Sequence, residues 1–220
     1  RSEDWIKNGR QGAFEVNNFT SPAFVARVNY HGVKGLRVGA SFYYNQTAKN
    51  GTKPWRNTGY KFPVTIVTGD LQYKGFNNNL IVRGNAVYGN LGASGALTTI
   101  NNSSSAASGY PNTTVAQNAV SYGGEAGYNI GSFFHSKAPR IYPFIRYEYY
   151  NPMEKTEANT GLLADKRFQV SAVTAGLNYY ALPNLVIKAD YTHRSIGGGK
   201  YNDENLVSVG IAYIGWFIKK

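Results

Sequence analysis

The chain has no cysteine and only one methionine, and only 16% of its 220 residues are charged. The absence of cysteine excludes a disulfide framework and a thiolate metal site. No apolar run approaches the roughly 18 residues that a transmembrane helix requires. A membrane-spanning β-strand needs only about 9 to 11 residues, and its signal is alternation instead of a continuous apolar run. The lack of a transmembrane-helix signal therefore does not exclude a membrane β-barrel.

The chain is rich in residues that suit strands and turns, with 18 tyrosines, 25 glycines and many asparagines. Strong helix formers are comparatively scarce, which favours a β fold. Lys and Arg number 23 against 12 Asp and Glu, giving a net charge of +11. Such a surplus suits three kinds of partner: nucleic acid, an anionic membrane surface, or small anions drawn through a channel.

Nine segments alternate between apolar and polar residues with a period of two, which is typical of strands. They span residues 22–31, 33–46, 62–74, 79–91, 117–131, 140–150, 167–181, 184–194 and 204–218. The connections between them alternate strictly between short turns, such as HGVKG and ALPN, and long polar loops, such as NQTAKNGTKPWRNTGYK. That rhythm is typical of an outer-membrane barrel with periplasmic turns and extracellular loops, and not of a soluble sandwich. The sequence therefore predicts an all-β, transmembrane, antiparallel up-and-down β-barrel.

Aromatic residues give a second line of argument for the same fold. On one strand face, Tyr30, Tyr73, Tyr128, Tyr179 and Phe217 lie near the short turns. On the same face, Tyr44, Tyr88, Tyr122, Tyr149 and Tyr191 lie near the long loops. Two aromatic belts around an apolar band are what two membrane interfaces require. The alternative is that tyrosine merely favours strands, but that predicts neither two belts nor a shared face.

An odd number of strands poses a counting problem, because bacterial barrels of this kind have an even number and begin in the periplasm. We therefore expect residues 1–220 to form a single barrel domain that is the C-terminal portion of a longer porin. The whole barrel would have about 16 strands. Residues 1–20 are expected to be an extracellular loop, or to include a short tenth strand at GAFEVNN.

Three stretches, SPAFVARVNYHGVKGLRVGASFYY, IYPFIRYEYYNP and VTAGLNYYALPNLVIKADYTHR, resemble the C-terminal half of porins from Bacteroidetes. Those porins are similar to the phosphate- and polyphosphate-selective family. The resemblance covers nearly the whole chain and implies a large barrel that assembles as a homotrimer. It also implies anion selection by Arg and Lys at a constriction formed mostly in the N-terminal half, so no selectivity residue is carried over to this chain.

The face opposite the belts is predicted to line a watery lumen. Its charged members, all candidate pore-lining residues, are Arg27, Arg37, Asp70, Arg83, Glu125, Arg140, Arg146, Glu148, Lys188, Asp190 and Arg194. If each short turn pairs residues at equal distances on either side of it, Arg27 lies opposite Arg37, and Asp70 lies opposite Arg83. The charges could form an ion-pair ladder that stiffens the wall, or their basic surplus could enrich anions. A change of parity in the seventh strand predicts a bulge near Ser171.

One long loop carries Lys49, Lys53, Arg56 and Lys61 with aromatic residues between them. This extracellular basic loop could bind sugars or lipopolysaccharide phosphates or attract anions, or it could simply be solvated. No HExxH-type metal spacing occurs, and Asp190 and His193 point to opposite faces of one strand. The sequence therefore predicts neither a metal site, nor a cofactor, nor an enzyme.

Taken together, these features predict a bacterial outer-membrane porin that passes small hydrophilic solutes by diffusion and prefers anions, with phosphate as a candidate. Its expected partners are those solutes, outer-membrane lipid and lipopolysaccharide, and not nucleic acid. One alternative is a structural or adhesive barrel with a plugged lumen and partner-binding loops. Another is an outer-membrane protease or lipase, which requires Asp, His or Ser clustered at the loop rim, a cluster not visible in the sequence. A third is a soluble basic β-domain.

Overall fold

A computed structural model describes residues 22–46, 61–103, 114–134 and 139–213. Within these ranges nine strands form one antiparallel sheet, and each strand pairs with the next along the chain. The strands are β1 (Ala23–Tyr30), β2 (Leu36–Asn45), β3 (Val64–Gly75), β4 (Leu80–Leu91), β5 (Asn118–Tyr128), β6 (Arg140–Lys155), β7 (Val170–Leu182), β8 (Leu185–Ile196) and β9 (Asp203–Tyr213). The connections contain one α-helix, α1 (Ser94–Ser103), and two 3-10 turns, Ile130–Phe133 and Lys166–Phe168.

The prediction of an all-β fold with nine antiparallel up-and-down strands is confirmed. The bulge predicted near Ser171 is wrong. The register of β7 runs without interruption past Ser171 on both neighbours, and its irregularity falls instead between Tyr180 and Leu182. The parity change in the sequence arises because Val170 and Ala172 are apolar residues on the charged-face side of β7, where Val170 is buried, and because Phe168 belongs to a 3-10 turn before the strand.

The unbroken pairing between most strands places alternate residues on two distinct faces. The charged face is the one that carries Arg37, Asp70, Arg83, Glu125 and Arg146. The aromatic face is the opposite one, and it carries Tyr30, Tyr44, Tyr73, Tyr88, Tyr122, Tyr128, Tyr149, Tyr179 and Tyr191. All the described tyrosines of the two predicted belts therefore share one face, whereas Phe217 lies outside the described residues.

Every strand carries exposed large side chains on the aromatic face. On β9, Val207, Val209 and Ile211 are 79%, 75% and 72% exposed, and large side chains on the inner strands are also open. Buried strand residues such as Leu91, Ala119 and Val170 have the parity of the charged face instead. Soluble monomers rarely leave so large a contiguous apolar surface uncovered.

The helix α1 was not predicted from the sequence. Its apolar residues Ala96, Leu97 and Ile100 follow helical spacing and pack against a small core. That core consists of Phe62 before β3, Leu91 at the end of β4, and Val115 before β5. The long polar loop between β4 and β5 therefore begins as a docked helix, although its sequence is mostly Gly, Ser, Thr and Asn.

A hydrogen-bonded cluster joins the short connections on the opposite side from α1. The Asn129 side chain donates to Asn79 Oδ1 at 2.9 Å and accepts from the Ile141 backbone N–H at 3.0 Å. The Tyr142 hydroxyl donates to the Asn78 carbonyl at 2.9 Å. Asn78 has a φ of 66° in this turn, a conformation that Asn tolerates better than most residues.

We expect Asn129→Ala to destabilise the sheet by about 1–3 kcal/mol, because it leaves the partly buried Ile141 backbone N–H without its acceptor. Asn129 is only 6% exposed, so water cannot readily replace the lost partner. Urea unfolding followed by far-ultraviolet circular dichroism measures the change. Asn178→Ala on β7 is the matched control and should cost less than about 0.5 kcal/mol. Equal midpoints for the two variants would contradict the role given to Asn129.

Candidate functional site on the charged face

A continuous row of paired residues crosses the charged face from β2 to β8. Successive register partners along it are Arg37, Gln72, Arg83, Glu125, Arg146, Thr174 and Thr192. Directly opposed side chains in antiparallel strands lie close enough to interact. The row ends in a hydrogen bond of 2.8 Å between the Thr174 and Thr192 hydroxyls. It is therefore polar across seven strands.

Asp70 forms the centre of the first charged cluster. Its two carboxylate oxygens contact Arg27 Nη2 at 2.6 Å and Arg37 Nη2 at 3.1 Å. Arg27 comes from β1 and reaches Asp70 on β3 by passing over Gly39 on β2. A Cβ at Gly39 would collide with both the guanidinium and the carboxylate. The lack of a side chain at Gly39 therefore leaves the space in which this cross-strand ion pair forms.

Glu125 forms the centre of the second cluster. Arg146 donates to Glu125 Oε2 from Nη2 at 2.7 Å and from Nε at 2.9 Å. Arg83 Nη1 lies 3.5 Å from the other carboxylate oxygen, and its side chain remains 57% exposed. Glu148 approaches the far side of Arg146 at 3.9 Å. Arg83 is thus the most open guanidinium among the ion pairs of the two clusters.

Both clusters border one open recess of about 420 Å³. Its polar lining consists of Arg37, Asp70, Gln72, Arg83, Asn85, Glu125, Arg146 and Glu148, which come from β2 to β6. The recess therefore spans five strands of the charged face. Its charged groups form ion pairs with one another, so the charged face presents alternating positive and negative charge.

The other predicted pore-lining residues lie outside this recess. Arg140 lies near the turn between β7 and β8, with its guanidinium 4.7 Å from the Tyr180 ring. Lys188 and Asp190 lie on β8 toward the same end, and Lys188 is four residues, or about 13 Å, from Thr192. Arg194 donates to Glu204 Oε2 at 2.7 Å and to the Tyr150 hydroxyl at 3.0 Å.

The two predicted pairings across the turns are wrong by two or more residues. Arg27 pairs with Ser41, because the connection of five residues puts Tyr30 opposite Val38. Asp70 pairs with Asn85, and Arg83 pairs with Gln72, because the next turn closes only at Gly75 and Leu80. Asp70 therefore bonds to arginines on β1 and β2, and not to Arg83.

The helix α1 lies on the charged-face side, at the loop ends of β3 and β4. Leu91, on which α1 packs, has the same parity as Arg83 along an uninterrupted strand. The Glu157 carboxylate accepts a hydrogen bond from the Gly95 backbone N–H in the first turn of the helix, where negative charge is favourable. Thr98 Oγ1 accepts from the Val115 backbone N–H at 2.9 Å. These contacts fix α1 over the loop end of the charged wall.

The basic loop falls mostly outside the described residues, which include Lys61 but not Lys49, Lys53 or Arg56.

In another loop, hydrogen bonds from the Arg167 side chain and backbone hold the pKa of Asp165 below its ordinary value. A lowered carboxyl pKa stabilises the fold above the unfolded pKa, and the contribution is lost as pH falls through the folded pKa. This pair therefore supports the 3-10 turn at neutral pH.

The described ranges contain no helix long and apolar enough to cross a membrane. Within the same ranges, no three His, Cys, Asp or Glu side chains are grouped so that they could hold a metal ion. No protein-family model matches the chain, and no curated protein is significantly similar to it.

Proposed function

We propose that the chain forms part of a bacterial outer-membrane porin that passes small hydrophilic solutes by diffusion, with a preference for anions. The observation that carries the proposal is the contrast between the two faces of one sheet. The aromatic face is apolar, rich in tyrosine and exposed, and the charged face is polar and contains an open recess. An apolar exterior with an enclosed polar wall is the arrangement that a membrane barrel requires.

The two sheet edges support a barrel larger than nine strands. Strand direction alternates along the sheet, so β1 and β9 run the same way. They can close an antiparallel barrel only through an odd number of further strands. We therefore propose that this sheet is one part of a barrel of about 16 strands. A native protein whose mass on a denaturing gel equals 24.2 kDa would contradict this.

The anion preference rests on a small surplus of positive charge. Four arginines of the two clusters, Arg27, Arg37, Arg83 and Arg146, face three carboxylates, Asp70, Glu125 and Glu148. At physiological salt a charge acts over about 8 Å in water, so the surplus acts only on ions that pass close to the wall. The resemblance to phosphate-selective porins points in the same direction.

Reconstitution of the full-length protein in planar bilayers tests the proposal. We expect discrete conductance steps, and a reversal potential in a potassium chloride gradient that reports faster passage of chloride. Cation preference would contradict the anion proposal while leaving a porin intact. A protein recovered from a detergent-free soluble fraction would contradict the membrane location itself.

We expect Arg83→Glu to lower the chloride preference or reverse it, because it replaces the most open guanidinium of the clusters with a carboxylate. A unit charge acting at about 4 Å in water is worth about 1 kcal/mol, so the permeability ratio should change roughly fivefold or more. Reversal potentials measure the ratio. Lys200→Glu, which makes the same change of charge in the loop between β8 and β9, should leave it nearly unaltered.

A second candidate function is favoured by the position of α1. A helix fixed over the charged face could close the lumen, giving a structural or adhesive barrel whose loops bind partners. Conductance separates the two functions, because a plugged barrel gives no steps in a bilayer.

A further inference from the structure

A cluster of catalytic-type residues lies on the aromatic face at the loop ends of β8 and β9. His193 and Ser195 are two residues apart on β8 and therefore share a face. Their register partners on β9 are Asn205 and Asp203, respectively. The sequence alone shows no cluster of Asp, His or Ser at the loop rim. The cluster appears in the structure because β8 pairs with β9, although a glycine-rich turn separates the two strands along the chain.

The contacts of Asn205 favour the tautomer of His193 that carries its hydrogen on Nδ1. Asn205 Oδ1 accepts from the Tyr191 hydroxyl at 2.7 Å and lies 3.0 Å from His193 Nδ1. With the Asn205 oxygen facing the ring, a neutral His193 satisfies this contact by donating from Nδ1, because an amide oxygen can only accept. Nε2 is consequently left with a free lone pair, which is the tautomer that a general base needs.

Ser195 lies on the basic side of that imidazole. Its Oγ is 3.3 Å from His193 Nε2, within the looser range found for nucleophile and base before substrate binds. The same hydroxyl donates to Asp203 Oδ1 at 2.7 Å. Asp203 Oδ1 is also 4.0 Å from Nε2, where its charge would stabilise an imidazolium. A rotation of the hydroxyl hydrogen from Asp203 to Nε2 completes the nucleophile–base pair.

We propose that this cluster hydrolyses carboxylic esters, with Ser195 as nucleophile, His193 as general base and Asn205 as the positioning residue. Ser195 Oγ attacks the ester carbonyl carbon while Nε2 takes the hydroxyl proton. The carbon–oxygen bond to the alcohol then breaks, and the alcohol leaves with the proton from Nε2. Water, deprotonated by Nε2, then attacks the acyl carbon. The bond from that carbon to Ser195 Oγ breaks, the carboxylic acid leaves, and Nε2 returns the proton to Ser195 Oγ.

The surroundings favour a lipid ester as substrate. Val173 lies directly opposite His193 on β7, and Val207 follows Asn205 on the same face of β9. Both are open, at 44% and 79% exposure, and provide apolar surface beside the reactive hydroxyl for an acyl chain. This choice of substrate rests on the proposed membrane orientation, which puts the cluster at the outer interface. The hydrolytic chemistry itself does not depend on it.

Two substrates and one covalent probe test the proposal on the full-length protein. The substrates are mixed phosphatidylethanolamine and phosphatidylglycerol vesicles, assayed for free fatty acid, and soluble p-nitrophenyl butyrate. A fluorophosphonate, followed by peptide mass spectrometry, should label Ser195. Ser195→Ala should lower hydrolysis by about 1,000-fold or more and abolish the labelling. Ser171→Ala is the matched control, because Ser171 pairs with Ser195 on the neighbouring strand.

The positioning role of Asn205 has its own measurement. Asn205→Ala should reduce kcat by about 10- to 100-fold with KM unchanged, and Asn205→Asp, which restores an acceptor for Nδ1–H, should recover most of the loss. A purely structural role would not give this rescue.

The outcomes separate this proposal from the porin proposal. Hydrolysis of the soluble ester without release of fatty acid from vesicles would support the triad and overturn lipid as its substrate. Activity of the native protein no higher than that of Ser195→Ala on both substrates, with Ser195 unlabelled, would overturn the site. Ser195→Ala should retain the conductance of the native protein. If the native protein itself gives no conductance steps, only the porin proposal is contradicted.

Discussion

Asp70→Ala should raise the chloride preference of the pore and destabilise the sheet in one step. The carboxylate is shared by Arg27 and Arg37, and its side chain is only 24% exposed. Its removal takes away the carboxylate that Arg27 and Arg37 share, and raises the surplus of the two clusters from one to two positive charges. With screening over about 8 Å, we expect the permeability ratio of chloride to potassium to rise roughly threefold.

The loss of stability should be about 1–3 kcal/mol, the usual result when a partly buried polar group loses its partner. Urea unfolding and bilayer reversal potentials measure the two effects on the same preparation. Asp165→Ala is the matched control, because Asp165 also bonds to an arginine but lies in a loop away from the recess. A threefold rise in both variants would show that the selectivity does not arise at the wall.

The strands and their faces could be predicted from the sequence because both depend on local information. Alternation is fixed within each strand, so residues such as Lys188 and Ile187 fall on opposite faces whatever lies next to them. Belts of tyrosine such as Tyr88, Tyr122 and Tyr191 share a face for the same reason. The nine strands and their order therefore follow from the pattern of apolar residues and turns alone.

Register could not be predicted, because it depends on how each turn closes. Three successive residues with positive φ, Phe76, Asn77 and Asn78, shift the pairing of β3 and β4 away from simple reflection. That shift decides which charges meet, since Arg83 then lies opposite Gln72 and not opposite Asp70. Nothing within a single strand carries this information.

Two further features depend on contacts between distant segments. The helix α1 has little helical tendency of its own and is held by Phe62, Val115 and Glu157. His193 and Asn205 are twelve positions apart and meet only through the pairing of β8 with β9. A motif search over one strand cannot find such a pair.

In the proposed porin, the ion pairs of the charged face have a consequence for any solute that passes. Each guanidinium of the two clusters is held by a carboxylate, so a passing anion competes with Asp70 or Glu125 and does not meet a bare cation. Binding of anions to the charged face is thereby weakened. Weak binding suits rapid passage, because a conducted ion must be able to leave each site that it enters. In the proposed porin, the number of acids on the charged face would set the balance between selectivity and throughput.

Leu97→Asp should increase the conductance of each channel by releasing α1 from the loop end of the wall. Leu97 packs against the core formed by Phe62, Leu91 and Val115, where a carboxylate would lose its hydration without gaining a partner. A helix with its side chains is about 10 Å wide, so its departure opens on the order of 80 Å² of cross-section. We expect the single-channel conductance to rise by roughly twofold as a result.

Thr99→Asp is the matched control for this experiment, because Thr99 lies on the exposed side of the same helix. It should leave the conductance unchanged, since the added charge remains in water and the packing of α1 is preserved. Equal conductance in the native protein and in both variants would show that α1 does not narrow the pore. If the native protein is closed and only Leu97→Asp conducts, α1 is a plug, and the adhesive alternative gains its strongest support.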